Sequence, residues 1–176
     1  MITHSFHHAL RIIEELDRNR QVFRDLLSGV PHEMQSWRPG DSKWNLLEIV
    51  CHLRDEEKED FRVRVKMVLD DPGQTLPPID PVGWVQARQY SGQDFQSVLD
   101  SFLKERKHSV DWLQSLQDPP WHHEHVHPTA GVRSARLFFT NWLAHDYLHI
   151  RQITRLKYDY LHAMTGVALD YAGKWI

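Results

Sequence analysis

The chain has 176 residues, a formal net charge of −3 and 26% charged side chains, which fits one domain over residues 1–176 with a single large core. Because basic residues are not in excess, the composition gives no reason to expect nucleic acid or an anionic membrane as a partner. The single cysteine, Cys51, excludes an internal disulfide framework and favours a reducing compartment. With no secretory signal and no apolar run of about 18 residues in view, we expect a cytoplasmic protein.

The first predicted helix covers Thr3 to Leu27, where apolar residues recur at the three-four spacing of one buried face. Gly29 and Pro31 should end it. We expect the segment from Pro31 to Lys43 to be a loop, because turn-forming residues interrupt the helical pattern there.

The second helix should begin after Asn45, because Glu48 three residues later completes a capping box just before an apolar run. We expect this helix to end near Leu69. The charged run 54–60 inside it should be mostly solvated surface, with Glu56 as the exception.

The remaining helices follow a Pro-rich connection and a short helix over 80–89. Ser91 should cap the third long helix, and Ser134 should cap the fourth, which we expect to continue to about Leu161. Four long amphipathic helices predict an all-α four-helix bundle with long connections.

Two segments are expected outside the long helices. Residues 121–133 should be irregular, and we interpret their histidines mainly as loop residues, one of which could line a site: His122, His123, His125 and His127. The apolar content of the last dozen residues, 165–176, predicts a tail that packs on the bundle or on another subunit.

The fourth helix carries the strongest pattern, because His145 and His149 stand four residues apart and therefore share one helix face. A polar row inside an apolar stripe is costly to bury unless its members are paired, and one metal ion pairs with two imidazoles at once. The alternative is a pair of core histidines bonded to backbone or carboxylates. The apolar residues expected around the pair are Phe138, Trp142, Leu148, Ile153 and Leu156.

A third imidazole comes from the second helix, where His52 adjoins the apolar stripe. In a bundle, metal ligands come from facing helices. Three neutral imidazoles and one open position are typical of a catalytic divalent metal site. We therefore predict one divalent ion held by His52, His145 and His149; imidazole suits zinc, nickel, copper and iron alike.

Glu56 lies one turn beyond His52. It could accept the second ring N–H of a ligand histidine, or it could act as general base. The alternative is an ion pair with a surface cation of its own charged run.

Four other residues near the histidines have less specific interpretations. Gln152 and Asn141 could bind substrate or satisfy buried backbone groups. Asp146 is interpreted as a surface residue or as a carboxylate that bonds a ligand imidazole. Cys51 is interpreted as a small core residue, because it lies about 100° round the helix from His52.

At these residues the sequence resembles the DinB/YfiT-like superfamily. The resemblance rests on residues 44–56, Trp-Asn-Leu-Leu-Glu-Ile-Val-Cys-His-Leu-Arg-Asp-Glu, and on residues 145–153, His-Asp-Tyr-Leu-His-Ile-Arg-Gln-Ile. It implies a four-helix bundle, frequent homodimers and a divalent metal, often zinc or nickel, on three histidines that match His52, His145 and His149. Members include metal-dependent hydrolases and S-transferases that use a low-molecular-weight thiol.

The leading hypothesis is a divalent-metal-dependent enzyme, a hydrolase or a thiol S-transferase that acts on a small molecule. The rival is a non-catalytic bundle in which the metal stabilises the fold, or which serves as a small-ligand-binding or interaction module. An open coordination position favours the enzyme, whereas a fourth protein ligand such as Glu56 or His125 favours the structural role.

Overall fold

The structure is a computed structural model, and it describes residues 6–175. Its elements, in chain order, are α1 (Ala9–Leu27), α2 (His32–Ser36), α3 (Leu46–Glu56), a π-helical turn (Glu57–Phe61), α4 (Arg62–Asp70), α5 (Trp84–Ala87), a 3₁₀ turn (Tyr90–Gly92), α6 (Phe95–Ser115), β1 (Glu124–His127), β2 (Gly131–Ser134), α7 (Ala135–Thr165) and a last 3₁₀ turn (Asp170–Ala172). The long helices α1, α6 and α7 and the continuous segment from α3 to α4 form a four-helix bundle, as predicted.

Two of the predicted helix starts are confirmed in atomic detail. The Asn45 side chain accepts from the Glu48 backbone N–H at 2.9 Å, and the Glu48 carboxylate accepts from the Asn45 N–H at 3.1 Å, which is the expected capping box. The Ser134 hydroxyl accepts from the Leu137 N–H at the start of α7. The third predicted cap is wrong: Asp94, not Ser91, accepts from the Ser97 N–H and opens α6.

Other boundaries differ by one element or a few residues. The predicted start at Thr3 lies outside the described residues, and α1 begins at Ala9. The expected loop 31–43 contains the short helix α2. Helix α7 runs one turn beyond Leu161 and ends at Thr165. The next residue, Gly166, has a φ of +66°, which suits a residue without a Cβ.

The bundle core consists of two apolar clusters separated by a polar layer. One cluster surrounds Phe23, Leu99 and Ile153; the other surrounds Leu16, Val110 and Trp142. Between them along three helices stand three buried polar residues, Asn19 on α1, Arg106 on α6 and Asp146 on α7.

This polar layer is a charge network centred on Arg106. The Arg106 guanidinium donates to both carboxylate oxygens of Asp146 at 2.7 Å and lies 2.9 Å from Glu57. Asn19 donates to Asp146, and the Trp142 indole donates to Glu57. Because every helix of the bundle contributes, the network fixes their relative registers.

The expectation that the charged run 54–60 is mostly solvated is wrong. The acidic residues buried within it are Asp55, Glu56, Glu57 and Asp60. The π-helical turn adds a residue to one helical turn, so Glu57 faces Arg106 while the segment continues as α4. Burial is tolerated where a carboxylate meets a cation or a hydrogen-bond donor, as it does for Glu57, Asp55 and Asp60.

The segment 121–133 is not irregular as predicted, because it contains an antiparallel hairpin. Strands β1 and β2 pair with Glu124 opposite Ser134 and His127 opposite Gly131. A three-residue loop joins the strands, and Gly131 adopts a φ of +74°, the left-handed conformation that such loops use where the second strand begins.

In the stretch from residue 6 to residue 175, no helix is both long and apolar enough to cross a membrane.

Candidate metal centre

The imidazoles of His52, His145 and His149 converge on one point through their Nε2 atoms. The Nε2 atom of His145 lies 3.2 Å from that of His52 and 3.0 Å from that of His149. Three nitrogens bound tetrahedrally to one ion at about 2.0–2.1 Å would lie about 3.3 Å apart. The spacing of the ring nitrogens therefore fits a single divalent ion.

Two helices position the three rings. His52 projects from α3, while His145 and His149 project from successive turns of α7. His52 and His149 are buried. The structure thus brings together the three predicted residues. Within residues 6–175, no other three side chains are placed to hold one metal ion.

The histidines are held in the neutral form that a metal ligand requires. Burial lowers the pKa of His52 to about 3, of His145 to about 2 and of His149 to about 4. For His52 and His145, the neighbouring imidazoles lower the pKa further. A proton is therefore a weak competitor for these nitrogens near neutral pH.

Gln152 determines which nitrogen of His149 faces the centre. Its Oε1 atom lies 2.8 Å from Nδ1 of His149. An amide oxygen can only accept, so the ring carries its N–H on Nδ1 and presents the Nε2 lone pair to the centre. This contact to the ligand was not among the roles predicted for Gln152.

Two aromatic rings that the sequence analysis did not assign to the site lie against the ligands. The centre of the Trp44 ring lies 4.9 Å from the centre of the His52 ring, and the centre of the Phe61 ring lies 5.0 Å from that of the His145 ring. Trp44 had a local signal, since an apolar residue directly before a helix cap commonly packs on the first turns. Phe61 had none, because the π-helical turn sets its direction.

Glu56 is buried one helical turn after His52, which excludes the alternative of a surface ion pair. Its Oε1 atom and the Nδ1 atom of His52 are both buried without a hydrogen-bond partner among the described residues. Burial, together with the adjacent Asp60 carboxyl, raises the pKa of Glu56 to about 8. Asp60 itself is ion-paired with Arg64.

Three sequence-based interpretations around the centre need correction. Asp146 is fully buried and bonds Arg106, because the residue after His145 points about 100° away from it round the helix. Asn141 is exposed and donates to the Leu137 carbonyl on the surface of its own helix, so the expected role of satisfying a buried backbone group is wrong. Among the apolar residues expected around the pair, Leu148 is exposed and Phe138 is only partly buried, whereas the adjacent Phe139 is fully buried.

Cys51 has the environment expected of a core residue. It is fully buried, and burial raises the pKa of its thiol to about 12. A thiol that stays protonated is a poor nucleophile.

The hairpin histidines do not join the centre. The Nδ1 atom of His123 lies 3.1 Å from the Leu69 carbonyl, and that of His125 lies 3.0 Å from the Pro72 carbonyl, so both rings donate to backbone at the C-terminal end of α4 and just beyond it. His127 accepts from the N–H groups of Thr129 and Ala130 inside the hairpin loop. His125 is therefore not a fourth ligand in this structure.

A cleft of about 450 Å³ lies next to two residues that contact histidines of the centre. Trp44 and Gln152 line it, and each of them also contacts a histidine of the centre. The other lining residues are Pro39, Lys43, Arg155, Leu156 and Asp159. A small molecule in this cleft would lie against Trp44 and Gln152, the neighbours of His52 and His149.

Fold and site together define a helical bundle with three convergent, neutral imidazoles in its middle layer. A family model described as the DinB superfamily matches residues 15–153, so the chain belongs to the DinB superfamily. Among curated proteins, no match was found.

Among solved structures, the chain is similar to YfiT from Bacillus subtilis, with a TM-score of 0.77 and 18% sequence identity. The similarity covers 93% of this chain and 91% of YfiT. YfiT is described as a probable metal-dependent hydrolase with an unusual four-helix bundle topology. At this identity the similarity shows a shared fold.

Proposed function

We propose that this protein is a divalent-metal-dependent hydrolase of a small molecule, with His52, His145 and His149 as the metal ligands. The observation that carries the proposal is the convergence of three neutral Nε2 atoms at 3.0 and 3.2 Å. Zinc or nickel fits the all-imidazole set. A divalent ion held there would lower the pKa of a coordinated water or thiol and so supply a nucleophile near neutral pH.

The chain's own residues have separate tasks in this proposal. Gln152 orients His149, and the Trp44 and Phe61 rings exclude bulk water from the faces of His52 and His145. Glu56 accepts the nucleophile's proton on Oε1, the atom that has no partner among residues 6–175. In the metal-free protein a pKa of about 8 keeps Glu56 mostly protonated at neutral pH. The charge of a divalent ion on the three histidines would lower this pKa towards the range that suits a general base.

Glu56→Gln tests this role, because it keeps the shape of the side chain and removes the base. We expect turnover to fall by roughly 10²–10⁴ while metal content stays near the wild-type value. If Glu56 instead holds a ligand imidazole, metal affinity should weaken by about 10–100-fold. Glu33→Gln, in the short helix α2, is the control, and unchanged turnover and affinity in Glu56→Gln would remove Glu56 from the site.

A thiol S-transferase would use the same centre, with a low-molecular-weight thiol in place of water. Metal-loaded protein should therefore be assayed against ester and amide substrates, and separately against electrophiles with added thiols. Turnover that requires the thiol would replace the hydrolase by the transferase. Metal binding without turnover in either assay would favour the non-catalytic alternative.

A further inference from the structure

Arg155 is the residue through which the cleft beside the histidines can recognise a ligand. Its Nε–H donates to both carboxylate oxygens of Asp159 at 2.9 Å. Its two Nη groups take no part in the hydrogen bonds found among residues 6–175. The terminal edge of a guanidinium is a planar pair of donors whose geometry matches a carboxylate.

Aromatic rings hold the Arg155 guanidinium in place. The guanidinium carbon lies 5.9 Å from the centre of the Tyr158 ring and 5.7 Å from that of the Trp175 ring. Cations are attracted to ring faces at such distances. Together with the Asp159 contact, the two rings restrict the guanidinium to a limited range of directions, which lowers the entropy cost of binding an anion.

The C-terminal tail contributes a wall to the same region. Trp175 lies against Tyr158 on α7, with 5.3 Å between ring centres. A second cavity, lined by Trp175 and Leu148, adjoins the cleft and shares Gln152 and Arg155 with it. The prediction that the tail packs on the bundle or on another subunit is therefore met at Trp175, whereas Val167 and Tyr171 in the same tail are exposed.

The charges around the cleft favour an anion. Two cations, Lys43 and Arg155, line the cleft. Of the residues between 6 and 175 that line it, Asp159 is the acidic one. The three histidines add no negative charge, so the two charges of a divalent ion would not be neutralised by their ligands. The half-buried Trp44 ring offers a flat apolar surface to a hydrocarbon body, and Leu156, which is almost fully buried, adds only a small apolar area.

We infer that the cleft binds a small-molecule carboxylate, whose acid group is held by Arg155 and whose flat apolar body lies on Trp44 and Leu156. The inference rests on the proposed function, because the bound ligand would lie against Trp44 and Gln152, which contact the proposed metal ligands His52 and His149. Arg155 is the specificity-determining residue, and Lys43 adds a longer-range attraction.

The test is calorimetric titration of the full chain with 2-naphthoate and with 2-naphthamide, which have the same body and differ in charge. Titrations are run with chelator present, so that direct binding of the acid to a metal does not contribute. Naphthoate should bind more tightly than naphthamide. Arg155→Gln should weaken naphthoate by about 10–100-fold and leave naphthamide unchanged.

Arg18→Gln is the matched control, because Arg18 is also an exposed arginine paired with an acidic residue of its own helix, Glu15. It should bind both compounds like the wild type. Trp175→Ala should weaken naphthoate more than naphthamide, since it removes a ring that restricts the Arg155 guanidinium and that does not itself line the cleft. Thermal unfolding of each variant checks that the bundle remains folded.

Equal affinity for naphthoate and naphthamide, no saturable binding of naphthoate, or an Arg155→Gln variant that binds it normally would overturn the inference. Tighter binding of 2-naphthyl phosphate by tenfold or more would replace the carboxylate by a phosphate. These outcomes concern the metal-free cleft, so they are separate from a failure of metal binding or turnover, which would overturn the proposed function instead.

Discussion

The chain places histidines in two regions that use them in opposite ways. On α3 and α7, three imidazoles point their Nε2 atoms at one another and are neutral. In and beside the hairpin, the rings of His123 and His125 each bond a different backbone carbonyl near the end of α4. In the first region the ring nitrogens lie close enough together to bind one ion, whereas in the second each ring nitrogen is bonded to a separate backbone group.

The difference shows what converts histidines into a metal site. A long helix holds residues four apart on one face, and a second helix anchored by a capping box supplies the third ring at a defined depth. The hairpin region has four histidines, and His125 and His127, two apart on β1, share one face of the strand. Their Nδ1 atoms are already bonded, however, because His125 bonds a backbone carbonyl and His127 accepts from backbone N–H groups of the hairpin loop. These bonds fix the hairpin and its loop and leave the rings apart from the centre.

The largest contrast is expected in metal content. His149→Ala removes one of three converging nitrogens, so metal affinity should fall by more than the roughly 10–100-fold that loss of an outer partner causes. His125→Ala should retain the metal. Elemental analysis of untagged protein, with competition against a chelator, measures both; equal losses in the two variants would contradict the division into two regions.

Acid should destabilise the metal-free protein through the three buried histidines. In the metal-free protein, burial lowers the pKa values of His52, His145 and His149 to between about 2 and 4, whereas an unfolded histidine titrates near about 6.5. Below that pH the unfolded chain binds protons that the folded chain does not. The free energy of unfolding should therefore fall as the pH decreases from about 6.5 towards 4.

Each histidine can contribute up to about 1.4 kcal/mol per pH unit in that window. Urea unfolding of chelated protein at several pH values measures the slope. His145→Gln removes one of the titrating groups and should make the slope shallower, while His125→Gln serves as the comparison. A wild-type unfolding free energy that does not change between pH 6.5 and 4 would show that the rings are not held neutral.

A smaller effect is expected at the residue that orients one ligand. Gln152→Met keeps the length of the side chain and removes the acceptor of the His149 Nδ1–H, so metal affinity should weaken by about 10–100-fold. Gln96→Met, at an exposed glutamine on α6 that bonds Asp100, is the control. Wild-type affinity in Gln152→Met would mean that packing alone orients His149.

The smallest effect is expected in the hairpin. His125→Ala removes a ring N–H bonded to the Pro72 carbonyl, so the free energy of unfolding should fall by about 0.5–1.5 kcal/mol. Chemical denaturation of metal-loaded protein measures this change. A fall in metal affinity in the same variant would assign the hairpin a part in the centre.

The sequence by itself determined the features that depend on short chain separations. The capping box at Asn45, the cap at Ser134 and the shared face of His145 and His149 involve residues three or four positions apart, and the helix geometry sets those spacings. The pattern of apolar faces likewise predicted the bundle. His52 could be assigned to the group because a polar residue beside an apolar stripe needs a buried partner.

Only the tertiary structure decided which of the charged residues are buried. Arg106 lies at a core position of α6, yet its partners Glu57 and Asp146 are 49 and 40 positions away in the sequence. The π-helical turn that directs Glu57 and Phe61 has no local sequence pattern. Such contacts depend on how four helices approach one another, which periodicity along any one helix does not specify.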